Sequence, residues 1–120
     1  METNLHSITD NQFTAYSNLS VTIKDITYSN NIIVTNQQIY PLNTQNIHDL
    51  KITDLSDILL QKPDLILFGT KDKIITPQYE LLLSLQKLSI GYEVMVIQAL
   101  CRTHNFLVGE NRKLASILFF

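Results

Sequence analysis

The segment from residue 64 to residue 69, Asp-Leu-Ile-Leu-Phe-Gly, constrains the fold of this chain more than any other feature of the sequence. Its apolar residues are continuous and do not alternate with polar ones. Such a run is typical of a strand that is buried on both faces. Strands of this kind occur mainly in α/β proteins, where helices cover both sides of a sheet. The run therefore predicts an α/β fold with a buried central strand.

The residues after this strand predict a crossover to a second, parallel strand. Thr76-Pro77 is typical of a helix start, with Thr as the N-cap and Pro at the first helical position. The apolar residues that follow have helical spacing, namely Leu81, Leu82, Leu85 and Leu88. We expect Gly91 to end this helix and residues 92–97 to form the next strand. A strand–helix–strand unit of this length places its two strands parallel.

The rest of the chain predicts a β-rich first third and two more helices. Alternating residues from Leu19 to Lys24 and short apolar segments up to Leu42 indicate a meander of short strands, with Pro41 at an edge or a strand end. We expect a short helix at 53–60, a helix at 98–108 and a closing strand at 113–120. Residues 1–11 are expected to be a flexible N-terminus, and residues 12–120 a single domain with a mixed sheet and flanking helices.

Composition and charge exclude several classes of protein. The chain has 120 residues and a net charge of −2, and neither half is basic enough to predict nucleic-acid binding. One cysteine forms neither an internal disulfide nor a thiolate-rich zinc site. The N-terminus lacks the pattern of a secretory signal, and the longest apolar stretch, 88–101, is shorter than the ~20 residues that span a bilayer. We expect a cytoplasmic protein with no membrane span, no metal and no cofactor, and peripheral membrane association stays open.

Residues 99–105 hold most of the reactive side chains of the second half. Cys101 and His104 lie three positions apart and share one face of the expected helix. A nucleophile–base pair also needs a group that orients the base, but Asn105 points about 100° away around the helix. A buried cysteine and a hydrogen-bonded histidine explain the same pattern without catalysis. We therefore predict no catalytic residues and no enzyme activity, and we keep Cys101 as a candidate reactive thiol.

A small-anion pocket is a second interpretation of this region. Ligands of open α/β sheets bind beyond the carboxyl ends of the strands, where Gly69 and Thr70 follow one strand and the helix at 98–108 follows another. A helix N-terminus offers free amides to an anion. The candidate residues for binding a ligand or a partner are Gly69, Thr70, Arg102, Thr103 and Asn105. In the alternative without a ligand, Gly69 serves a tight turn and Arg102 bonds backbone carbonyls.

Three segments in this order resemble the Mth938-like family, domain of unknown function 498. Residues 65–70 (LILFGT) are similar to its apolar run before Gly-Thr-Gly, and residues 90–95 (IGYEVM) to its Gly-Ile-x-x-Glu-x-Met segment. Residues 99–107 (ALCRTHNFL) are similar to its Ala-Ala-Cys-Arg-Thr-Tyr-Asn-x-Leu. A Glu-x-Arg-Arg segment of the family is matched, with a shift of one residue, by Glu110, Arg112 and Lys113. The resemblance covers residues 12–119.

This resemblance implies a three-layer α/β fold around a mixed central sheet and no established catalysis. The family includes the mitochondrial respiratory complex I assembly factor 3, which acts through partner proteins. Three departures from the family pattern stand out: Lys71 replaces a Gly, Val96-Ile97 replaces Asp-Thr, and His104 replaces Tyr. The loss of the Asp removes an acidic group beside the suspected pocket and leaves Arg102 without that partner.

The sequence leaves three candidate functions. The first is a non-enzymatic protein-interaction or assembly factor with protein partners, present as a monomer or a small homo-oligomer. The second is a small anionic ligand-binding protein or cryptic enzyme with a pocket at Gly69, Thr70 and the start of the helix at 98–108. The third is a purely structural homo-oligomer. We expect the functional face to lie within residues 64–113, which carry the specific part of the resemblance.

Overall fold

The computed structural model describes residues 10–120, which form two β-sheets and three α-helices. The strands are β1 (Ala15–Tyr16), β2 (Val21–Ile23), β3 (Ile26–Tyr28), β4 (Ile32–Thr35), β5 (Ile39–Pro41), β6 (Leu65–Thr70), β7 (Gly91–Val96) and β8 (Leu114–Phe119). The helices are α1 (Ser56–Leu59), α2 (Tyr79–Lys87) and α3 (Ile97–Gly109). Two 3₁₀ turns, Ile47–Asp49 and Ile52–Leu55, precede α1. These elements confirm the α/β class.

The larger sheet is mixed, as predicted, and has the strand order β5-β4-β8-β6-β7. Strand β6 pairs in parallel with both β7 and β8, whereas β4 pairs antiparallel with β5 and β8. The parallel pairing of β6 with β7 confirms the crossover expected from the sequence. Strands β1, β2 and β3 form a separate antiparallel sheet. The expected meander is therefore divided, because β4 and β5 join the larger sheet.

The larger sheet is the middle layer of three. On one face, Ile66 and Phe68 of β6 belong to a buried cluster that also contains Leu81 and Leu85 of α2. On the other face, Leu67 belongs to a second cluster with Ile97, Leu100 and Cys101 of α3 and with residues of the small sheet. All six residues of β8 are buried, as are five of the six in β6. The continuous apolar run at 64–69 thus correctly predicts a strand covered on both faces.

The start of α2 differs from the prediction. The helix begins at Tyr79 with Gln78 as its N-cap, so Thr76-Pro77 does not open it. Pro77 is buried, and the backbone of Gln78 is extended. The chain stays extended through Gln78, so the helix begins two residues after the proline.

The end of α2 also differs from the prediction. Leu88 is the C-cap and is 54% exposed, so it does not extend the buried apolar stripe. Ser89 adopts the left-handed conformation, with φ of 60°. Its N–H donates to the Gln86 carbonyl at 3.0 Å, and the Ile90 N–H donates to the Leu85 carbonyl at 3.0 Å. These two bonds complete a Schellman motif, so Gly91 is free to begin β7.

The first two described residues, Asp10 and Asn11, are buried. Residues 1–9 of the expected flexible terminus lie outside the described residues, but Asp10 and Asn11 are each only 2% exposed. The Asn11 side-chain amide donates to the Thr35 carbonyl at 3.0 Å and to the Gln38 carbonyl at 3.2 Å. Asp10 and Asn11 therefore pack against the rest of the domain.

Gly69 provides a test of how closely α3 packs on β6. A Cβ atom built on Gly69 would lie 2.8 Å from the Leu100 Cδ1 atom. We expect Gly69→Ala to lower the free energy of unfolding by about 1–3 kcal/mol, because the core is overpacked. In the double variant with Leu100→Ala, the loss should be smaller than the sum of the single losses by more than about 0.5 kcal/mol.

Chemical denaturation measures this cycle, and Gly109→Ala is the matched control. No atom lies within 4 Å of a Cβ built on Gly109, so that substitution should be neutral or stabilise the helix by up to about 1 kcal/mol. Strict additivity of Gly69→Ala and Leu100→Ala would contradict the packing argument.

Candidate functional site

His104 of α3 lies in a buried polar network. Its Nδ1 atom is 2.8 Å from the Ser116 hydroxyl, and its Nε2 atom is 3.0 Å from the Asn11 carbonyl oxygen. A carbonyl oxygen only accepts, so Nε2 carries the proton and the Ser116 hydroxyl donates to Nδ1. The Phe13 ring packs edge-on at a centroid distance of 4.8 Å. Both ring nitrogens are therefore satisfied within the protein.

Burial also favours the neutral form of the His104 imidazole. It lowers the pKa of the imidazole to about 4, and the hydrogen bond to Asn11 and the charge of Asp10 only partly oppose this effect. The Ser116–His104 pair has the elements of a nucleophile and a base, but both residues are 0% exposed. A substrate has no access to the hydroxyl, so the pair acts as a structural link between β8 and α3.

Cys101 is buried in the apolar cluster between α3 and the sheet. Burial raises the pKa of its thiol to about 12, although the positive charge of Arg102 partly opposes the effect. The thiolate is the nucleophilic form of cysteine, and it is scarce at neutral pH when the pKa is this high. Burial and the raised pKa therefore predict that the Cys101 thiol is unreactive in the folded protein.

Gly69 and Thr70 face opposite sides of the sheet, because successive residues of a strand alternate. Gly69 faces Leu100 of α3, so its place is explained by close packing, not by a tight turn or a ligand. The Thr70 hydroxyl donates to the Lys73 carbonyl and accepts from the Ile75 N–H at 3.3 Å. Thr70 thereby fixes the loop that follows β6.

The other three candidates lie along α3. The Asn105 side chain donates to the Phe13 carbonyl at 2.9 Å and accepts from the Phe13 N–H at 2.8 Å. Arg102 lies in the second turn and is exposed, and Thr103 is half-buried. Gly69 and Thr70 thus face opposite sides of the sheet, and Asn105 bonds the N-terminal segment. The five candidate residues therefore do not converge on one face.

A cleft of about 330 Å³ opens at the carboxyl ends of β6 and β8. Thr70 and Lys71 line one side, and Phe119 and Phe120 line the end of β8. The 3₁₀ turn Ile47–Asp49 and the residues just before it form the remaining wall. Of the five candidate residues, only Thr70 contributes to it. Neither Gly69 nor the start of α3 lines this cleft, so it is a different place from the pocket expected at Gly69, Thr70 and the helix at 98–108. Its lining residues come from segments that no local sequence pattern connects.

The part of the chain that the structure covers contains no group of three or more His, Cys, Asp or Glu side chains placed to hold a metal ion. Among residues 10–120, no helix combines the length and the apolar character that membrane crossing requires.

Comparison with known proteins gives a family match over nearly the whole chain. A family model described as a protein of unknown function (DUF498/DUF598) matches residues 13–119. The curated "13 kDa major membrane protein" of Francisella tularensis subsp. holarctica (strain LVS) is 30% identical over 93 residues, which are 76% of this chain and 76% of that protein.

Two solved structures share the fold. The crystal structure of an outer membrane protein from Bartonella henselae is 26% identical, with a TM-score of 0.80 over 92% of this chain and 94% of the other. A Bordetella pertussis protein described as an Mth938-like domain is 21% identical, with a TM-score of 0.72 over 91% of this chain and 85% of the other. These matches confirm the fold implied by the sequence resemblance.

The buried imidazole predicts a pH-dependent stability. The unfolded chain takes up a proton near the ordinary pKa of 6.5, whereas folded His104 does so only near 4. The unfolded state binds more protons in this window, so stability should fall as the pH falls from 6.5 to 4, by on the order of 3 kcal/mol. Denaturation curves of wild type and His104→Gln across this range measure the effect.

The Gln side chain keeps a hydrogen-bond donor and an acceptor but does not titrate. The part of the pH dependence that is present in wild type and absent from the variant therefore belongs to His104. Replacement of the exposed His48 by Gln is the matched control and should leave the dependence unchanged. An identical pH profile for wild type and His104→Gln would refute the assignment.

The single thiol gives a direct test of reactivity. A pKa near 12 instead of 9.0 leaves about a thousandfold less thiolate at pH 8. We expect a disulfide reagent such as DTNB to modify native Cys101 at least a hundredfold more slowly than the unfolded chain. Rapid stoichiometric labelling of the folded protein would show that the thiol is accessible after all.

Proposed function

This chain belongs to the DUF498/DUF598 family of proteins of unknown function, and we propose that it acts by binding a protein partner and not by catalysis. The observation that carries the proposal is an exposed apolar segment formed by the loop after β6 and the first residue of α2. We use the name apolar loop for residues 71–79, in which Ile74 is 63% exposed, Ile75 41% and Tyr79 74%.

The composition of the apolar loop fits a binding surface. Single exposed hydrophobic residues are ordinary, but three large ones within six positions form an unusual concentration. The exposed Lys71, Asp72 and Lys73 flank them. An apolar centre with a charged rim is the usual arrangement of a protein–protein interface.

The apolar loop is also held in place. The Thr70 hydroxyl bonds the Lys73 carbonyl and the Ile75 N–H, so the first half of the loop is anchored to the end of β6. An anchored loop loses less conformational entropy when a partner binds. Thr70, a candidate binding residue from the sequence, therefore contributes by positioning the loop.

The interior of the protein supports a non-enzymatic role. The two pairings that resemble catalytic groups, Ser116 with His104 and Cys101 with His104, consist of residues that are 0% exposed. A protein-interaction or assembly factor needs no such groups. We place the protein in the cytoplasm, and the names of the Francisella and Bartonella relatives keep peripheral membrane association as the competing location.

Affinity purification of the tagged full chain, expressed at native level, tests the proposal in separate soluble and membrane fractions. We expect a reproducible partner from the soluble fraction with wild type. Recovery should fall at least tenfold with Ile74→Ser/Tyr79→Ser, equivalent to about 1.4 kcal/mol of binding free energy, because the substitutions remove two apolar contacts. Circular dichroism confirms that the variant is folded.

Leu60→Ser is the matched control, because Leu60 is 81% exposed but lies outside the apolar loop. It should leave recovery unchanged. Equal losses in both variants, or no reproducible partner for wild type, would overturn the proposal. Recovery of only a second copy of the chain, checked by light scattering, would replace it with the homo-oligomer alternative.

A further inference from the structure

The cleft at the carboxyl ends of β6 and β8 has the size and position of a ligand site. Its volume of about 330 Å³ lies at the lower end of the roughly 300–1,000 Å³ that small-molecule sites occupy. In α/β sheets such sites lie outside the carboxyl ends of the strands. Both features are typical of small-molecule sites.

One wall of the cleft is fixed by Asn31. Its side-chain amide donates to the Thr44 carbonyl at 2.9 Å and to the Gln45 carbonyl at 3.2 Å. Its side-chain oxygen accepts from the Phe120 N–H at 2.8 Å. Asn31 therefore joins the segment before the 3₁₀ turn to the end of β8, and both of these line the cleft.

The opposite wall is fixed by Thr70, whose hydroxyl holds the loop from Lys73 to Ile75. Thr70 and Asn31, two polar residues far apart in sequence, thus hold two sides of one cavity. A cavity held in this way is formed before a ligand arrives, which reduces the entropy lost on binding.

The lining combines an apolar surface with two opposite charges. Ile47, Ile75 and Phe119 supply the apolar part, and the exposed Asp49 and Lys71 supply the charges. A carboxylate on a ligand would pair with the Lys71 ammonium, and an ammonium on the same ligand would pair with the Asp49 carboxylate. A simple anion would meet Asp49, and a simple cation would meet Lys71, so each would find one unfavourable charge.

We infer that this cleft binds a small zwitterion with an apolar side chain, which is the chemistry of a free apolar amino acid. The inference does not rest on the proposed partner binding. Lys71 and Ile75 of the apolar loop line the cleft, but Ile74 and Tyr79, on which the partner test depends, do not. The inferred site also differs from the anion pocket predicted at Arg102, since it requires both charges.

The experiment is an NMR titration of the full chain with L-leucine as the probe. We expect saturable shifts of the Thr70 and Phe120 amides, at the two walls of the cleft. Lys71→Met and Asp49→Asn should each weaken leucine binding at least tenfold. Lys73→Met is the matched control, because Lys73 lies in the same loop but outside the cleft lining, and it should leave binding unchanged.

Two truncated ligands separate the charge requirements. The acid 4-methylpentanoate lacks the ammonium, and 3-methylbutylamine lacks the carboxylate, so both should bind at least tenfold more weakly than leucine. Asp49→Asn should not further weaken binding of 4-methylpentanoate, and Lys71→Met should not further weaken binding of 3-methylbutylamine. L-Serine, which has no apolar side chain, should also bind more weakly than leucine.

The inference fails if leucine produces no saturable shifts up to about 10 mM. It also fails if 4-methylpentanoate binds as tightly as leucine, because the cleft would then be a simple anion site. Equal weakening by Lys73→Met and Lys71→Met would indicate non-specific attraction to the loop and would overturn it as well. None of these outcomes bears on the apolar loop, whose test uses Ile74 and Tyr79.

Discussion

Burial of β6 and β8 on both faces is the constraint from which the other layers follow. A strand with apolar side chains on both sides cannot expose either side to water without losing the free energy of burial. In this protein α2 and the 3₁₀ turns cover one face, while α3 and the small sheet cover the other. Gly69 shows how tight the second contact is, since α3 packs where the strand has no side chain.

The same burial explains why the polar residues of the core are paired. Ser116 lies on β8, and its buried hydroxyl needs a partner, which is His104. The second nitrogen of His104 bonds the Asn11 carbonyl. The side chain of the adjacent Asn105 bonds both the N–H and the carbonyl of Phe13. Among the described residues, no buried side-chain nitrogen or oxygen is left without a hydrogen bond. His104 and Asn105, which drew attention in the sequence, thus hold Asn11 and Phe13 against α3.

The sequence predicts well those features that depend on neighbouring residues. The buried run at 64–69, the parallel crossover and the closing strand follow from periodicity, and the structure confirms them. The site could not be predicted in this way, because its contacts are distant in sequence. Phe13 and Asn105 are 92 positions apart, and the cleft combines residues near 47, 70 and 119. Helix ends also depend on details that the sequence pattern does not show, such as the extended Gln78 before α2 and the left-handed Ser89 after it.

Thr70 connects the two surfaces to which we assign binding. Its hydroxyl fixes the loop whose outer side carries Ile74 and whose inner side contributes Lys71 and Ile75 to the cleft. A partner that moves this loop would move one wall of the cleft, and a ligand in the cleft would stabilise one position of the loop. Because equilibrium coupling is reciprocal, each would change the affinity of the other by the same factor. The short segment after β6 therefore contributes to both proposed binding surfaces. An acidic residue in place of buried Thr70 would disturb the two surfaces together.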